Sequence, residues 1–99
     1  MRKVKATLDD ALARQRFDFL SAEIQLGFTF CEVARTTGKE EVARRNIENA
    51  KKAFATVFKA IASGYMSDRQ ARMLQPQLSR LQAKIANLDR KSLGGGKPD

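Results

Sequence analysis

Apolar residues recur at helical spacing in three segments of this chain, and each segment opens on a capping signal. Such a chain folds as a set of packed helices. The signals are Thr7-Leu-Asp-Asp10, Thr37-Gly-Lys-Glu40 and Ser67-Asp-Arg-Gln70, about thirty residues apart. In each, a hydroxyl can accept from an orphan N–H of the first helical turn while the residue three places on reaches back to the cap. The spacing predicts helices over about 8–36, 39–63 and 67–91, in one domain of residues 1–91 with a flexible tail at 92–99. The fold expected is all-α, a three-helix antiparallel bundle.

The first helix carries two apolar stripes. Leu8, Leu12, Phe19, Leu26, Phe30 and Val33 form one; Phe17, Leu20, Ile24, Phe28 and Cys31 form the other. Together they take up more than half the circumference, which predicts a central helix sandwiched between two others. Gly38 suits a left-handed stop, and so short a turn makes the second helix an antiparallel neighbour. That helix has an apolar arc with Ala43, Ala50 and Ala53, permitting close approach. Gly64 ends it, and Met66 can staple onto Ala71 at the start of the third helix. There Ala71, Leu74, Leu78, Leu81, Ile85 and Leu88 make a narrow seam at alternating steps of three and four. Pro76 lies off this seam and predicts a kink or local break near it.

Composition excludes more chemistry than it suggests. The chain has no histidine and one cysteine, so imidazole bases, Ser-His triads and ordinary zinc sites are out of reach. No catalytic residue, cofactor site or metal site is expected. Cys31 falls among apolar positions and reads as a buried small hydrophobe, which fits a reducing, cytoplasmic setting. No run approaches the roughly 20 apolar residues that cross a bilayer.

The net charge of +8 is the main compositional hint of a partner. Arg44, Arg45, Lys51, Lys52 and Lys59 of the second helix, with Arg80 and Lys84 of the third and the arm Arg2, Lys3 and Lys5, could track a phosphate backbone without sequence preference. The same charges also read as a solvated face laced by Glu41–Arg45, Arg44–Glu48 and Glu48–Lys52 pairs. Residues 7–36 carry a net −2, so the central helix is mildly acidic between two basic ones. Glu23 and Arg16 fall between the two apolar stripes and are candidate buried charges. Phe17, Phe28 and Phe30 are candidates for an apolar interface, because the first helix offers more apolar surface than two neighbours readily cover.

Leu26-Gly27 followed by Phe30, and Ala50 with Phe54 and Val57, resemble the two helices of a tetratricopeptide unit. The 20-residue step from Phe30 to Ala50 makes it a lengthened, solitary hairpin. That resemblance implies an α-hairpin of the kind used for protein contacts. Two functions are therefore expected as alternatives. One is a non-enzymatic interaction module that binds a protein partner or itself as a homodimer. The other is a basic, sequence-nonspecific nucleic-acid binder.

Overall fold

The computed structural model describes residues 2–95. These form three helices in order, α1 (Arg2–Thr36), α2 (Glu40–Ala62) and α3 (Asp68–Gly95), each in contact with the other two. The all-α three-helix bundle is therefore the observed architecture. It is a thin rod, 68 × 19 × 16 Å, so its core is a single file of side chains rather than a ball.

The ends of the helices follow local hydrogen bonding. α1 begins at Arg2, not at the Thr7 signal, because Arg2 to Ala6 contain no glycine or proline to stop the helix from running on. At the first turn, the Thr37 N–H donates to the Val33 carbonyl at 2.9 Å, closing α1. Thr37 thus belongs to the end of one helix and cannot cap the next. Its Oγ1 accepts from Lys39 N–H at 3.2 Å, and Lys39, extended at φ −106°, ψ 119°, is the N-cap of α2 without a side-chain cap bond. Glu40 and Glu41 in the first turn of α2 favour the positive end of its dipole. The third signal forms in full: Gln70 N–H donates to Ser67 Oγ at 3.2 Å, and Ser67 N–H donates to Gln70 Oε1 at 3.3 Å.

The two turn glycines differ. Gly64 has φ +77°; its N–H donates to the Ile61 carbonyl, and Tyr65 N–H donates to the Ala60 carbonyl at 3.0 Å. This is a Schellman closure, which only glycine meets without strain. Gly38 is not left-handed, contrary to the expectation from sequence, and a Cβ there would touch nothing within 4 Å. Gly64→Ala is accordingly expected to lower stability by about 1–2 kcal/mol, while Gly38→Ala stays within about 0.5 kcal/mol of the parent. Urea unfolding of both variants checks the contrast; equal effects would contradict it.

α3 runs unbroken through Pro76, which lies exposed on the solvent side, where water can satisfy the Arg72 carbonyl that loses its helical donor. The helix also continues past 91 to Gly95, four residues into the expected tail; residues 96–99 lie outside the described residues.

One stripe of α1 builds the core. Leu20, Ile24, Cys31 and Ala34 meet Ile47, Ala50, Ala53 and Val57 of α2 and Leu74, Leu78, Leu81 and Ile85 of α3, with Met66 closing the turn end. The alanines of α2 let its backbone come close. Gly27 of α1 takes this furthest: a Cβ on it would stand 2.7 Å from Leu81 Cδ2 and 3.5 Å from Ala53 Cβ.

α1 is about 52 Å long against about 35 Å for α2, at 1.5 Å per residue. The α2–α3 turn reaches α1 at Ala13 and Arg16 and borders Asp10. Gln70 Nε2 donates to the Ala13 carbonyl at 3.3 Å, and the Arg16 guanidinium stands 4.9 Å from the centre of the Tyr65 ring. Residues 8–12 are all exposed, so the start of α1 projects beyond its neighbours.

Candidate functional site

The second stripe of α1 is the feature of this surface that packing does not explain. Leu8, Leu12, Phe19, Leu26 and Val33 remain 59%, 47%, 52%, 44% and 38% exposed. The sandwich expected for α1 is therefore one-sided: α2 and α3 both pack against the Leu20–Ile24–Cys31 side. The physical reason is width. The leucine seam of α3 is narrow and the alanine arc of α2 draws that helix in, so both helices sit on one flank of α1.

With Gln15, Ala22 and Thr29, the five uncovered residues form a continuous strip at alternating steps of four and three from Leu8 to Val33. That is the repeat of a helix prepared to pack along another helix. The polar members are compatible with contact. Thr29 Oγ1 already donates to the Gln25 carbonyl at 3.1 Å, which leaves its methyl to face outward. Two edges bound the strip. One, toward α2, carries Asp9, Arg16, Glu23 and Phe30. The other, toward α3, carries Asp18, Gln25 and Glu32; Gln25 lies 3.5 Å from Gln77 of α3, and Glu32 pairs with Arg35. The Arg35 guanidinium bonded to Glu32 holds that carboxyl below the usual carboxylate range.

Of the interface candidates, Phe30 stands at the strip's edge while Phe17 and Phe28 lie off it; all three are half-buried and pack against the core. Sequence reasoning placed the uncovered residues on a stripe but did not single them out. The signal was the four–three alternation, which Phe30 interrupts by turning toward α2. Glu23 and Arg16 are not buried charges. Glu23 is half-buried at the strip's edge, and Arg16 is exposed and stacked over Tyr65; no charged side chain among the described residues is fully buried.

The five basic candidates of α2, Arg44, Arg45, Lys51, Lys52 and Lys59, lie within about 120° of one another around that helix, with Glu48 among them, while Arg80 and Lys84 stand on α3. Lys52 lines the groove between α1 and α2 with Glu23, Phe30 and Asn49. Lys84 lines the groove between α1 and α3 with Phe28, Cys31 and Glu32. Lys51 bridges α2 and α3, 2.9 Å from Asp89 and 3.4 Å from Glu48. The bond to Asp89, chiefly, raises its pKa above the ordinary lysine value. Arg44, Arg45, Lys59 and Arg80 are exposed. The i,i+4 pairs expected along α2 are not formed among the described residues; Glu48 pairs with Lys51 instead.

The α1–α3 groove over Cys31 holds about 170 Å³, below the roughly 300–1,000 Å³ of ordinary small-molecule sites. Among the described residues, no three acidic or thiol side chains gather where they could share a metal ion. No helix among them is long and apolar enough to cross a membrane. No protein-family model, curated protein or solved structure matches this chain.

Proposed function

We propose that this chain is a non-enzymatic helical interaction module that takes up another helix along the uncovered strip of α1. The strip itself carries the reading. From Leu8 to Val33 it runs about 39 Å at helical rise, five large apolar side chains stand half exposed on it, and its repeat is that of a helix-packing seam. Contiguous apolar surface of this kind on a small protein marks an interaction site. The α1–α2 hairpin, similar to a lengthened tetratricopeptide unit, is then the part that makes the contact. A cytoplasmic setting suits its lone thiol.

Nucleic-acid binding is the weaker alternative. A phosphate backbone needs cations along one track, and here Glu48 stands among the basic residues of α2 while Lys51 is already tied to Glu48 and Asp89.

Photo-crosslinking in cells producing the protein tests the proposal. Benzoylphenylalanine replaces Phe19 or Leu26 on the strip, and Arg44 or Gln82 on the outer faces of α2 and α3 as controls. Discrete adducts from positions 19 and 26, several-fold above the controls, are expected. No adduct from the strip, or equal yields at all four positions, would overturn the reading.

A further inference from the structure

We infer that the helix taken up by this strip is α1 of a second copy of the chain, packed antiparallel. This inference rests on the interaction-module reading and names its partner. Three observations lead to it: charge, the projecting start of α1, and the size of the strip.

Charge selects both the surface and the direction. In a chain of net charge +8, α1 is net +1 against +2 for α2 and +4 for α3, so two copies meet with least repulsion through α1. Setting Phe19 against Ala22 of the other copy and Leu12 against Thr29 centres an antiparallel pair near residues 20 and 21. Arg16 of each copy then lies beside Glu23 of the other, giving two opposite-charge contacts across the edge. In a parallel pair, Asp18 of each copy would face Glu23 of the other, giving two repulsive contacts instead. The antiparallel pair also aligns the helix dipoles favourably.

The projecting start of α1 explains why the chain gains from such a pair. A helix of about ten residues without neighbours is marginal in water, and residues 8–12 are all exposed in the monomer, with Asp10 at the edge of the α2–α3 turn. In the antiparallel pair, Leu8 of one copy packs by Val33 of the other. Each projecting end is thereby sheathed by the partner's α1 where that helix is backed by α2 and α3. Asp9 arrives next to Phe30 of the other copy, in the groove that Lys52 lines, which adds a further opposite-charge pair.

Size sets the strength. A strip about 39 Å long and one helix diameter wide, about 10–12 Å, projects roughly 400 Å². That is about half of what each partner gives to a standard stable interface. The dimer is therefore weak and concentration-dependent, with a midpoint in the micromolar range.

Sedimentation equilibrium of the full chain from about 1 to 300 µM is the first measurement. The mass is expected to rise from 11.1 kDa toward twice that value. Phe19→Asp and Leu26→Asp, both at exposed positions, are expected to weaken association by thirtyfold or more with unchanged helical circular dichroism. Arg16→Glu alone weakens it, and Arg16→Glu with Glu23→Arg restores it.

Direction is read by disulfide trapping in a Cys31→Ala background. Mixing Leu12→Cys with Thr29→Cys chains gives the mixed disulfide, while neither variant alone couples efficiently. A mass of 11.1 kDa throughout the range, or preferred Leu12→Cys self-coupling, would overturn the inference. If the chain stays monomeric while position 19 photo-crosslinks to a different protein, the second copy is excluded and the module reading stands. If it stays monomeric and the strip yields no adduct, both fall.

Discussion

Gly27→Val is expected to destabilise the bundle by about 2 kcal/mol, within the range typical of overpacked cores. Gly27 is buried in the middle of α1, where glycine is about 1 kcal/mol less favourable than alanine, so helix propensity alone would favour replacing it. Packing forbids the replacement. A Cβ there would lie 2.7 Å from Leu81 Cδ2 and 3.2 Å from Leu81 Cδ1. Leu81 is fully buried among the core side chains. Valine adds two methyls at this point, so either Leu81 leaves its rotamer or α1 and α3 separate. Alanine makes the same clash with one atom and recovers the propensity term, so its effect is smaller than valine's.

A double-mutant cycle isolates the cause. Leu81→Ala alone opens a cavity and should lose about 2–5 kcal/mol. In that background Gly27→Ala becomes stabilising, because its methyl fills space the leucine has left. Urea denaturation of the four proteins gives the coupling directly. A valine variant as stable as the parent, or an alanine effect of the same sign in both backgrounds, would show that close approach is not what holds glycine here.

How much of this was legible in the sequence depends on the range of each signal. The Ser67–Gln70 cap could be read because both partners lie within four residues and nothing competes for them. Thr37 looked the same in sequence, but its N–H was already committed to Val33, a contest between two helix ends that pattern alone does not resolve. Periodicity separated the two stripes of α1 except for Phe30, which it set on the uncovered one and which packs against the core. It could not say which would be covered, because that depends on how wide the apolar arcs of α2 and α3 are once they are packed. The reading of Arg16 and Glu23 as buried charges followed from assuming both stripes covered. With one left open, the same two residues stand at its rim. The basic residues illustrate a related limit. Position on a helix is visible in sequence, but the groove into which Lys51, Lys52 or Lys84 falls is set by which neighbour lies alongside.

The native thiol of Cys31 is expected to react with a disulfide reagent at pH 8 at least about a hundredfold more slowly than in the unfolded chain. Two effects act together. Cys31 is 4% exposed, so the reagent reaches sulfur only when the α1–α3 groove opens. Burial also pushes the thiol pKa up, and the weaker pull of Lys84 across the groove does not reverse this. The thiolate, which is the attacking species, is therefore scarcer than in an exposed cysteine. The same shift links stability to pH. The folded chain keeps its thiol proton to higher pH than the unfolded chain, which releases it near pH 8.5. Below that pH the contribution of Cys31 is constant; as pH rises from there through the folded pKa, the unfolded state gains by ionising and stability falls. Cys31→Ala should give up some packing at every pH yet lose less stability than the parent between pH 8 and 10, which unfolding midpoints across that range measure. Native labelling as fast as in denaturant would mean that α3 detaches from α1 near Lys84 and Leu88 on the time scale of the reaction, and that the bundle is only loosely closed one turn beyond Gly27.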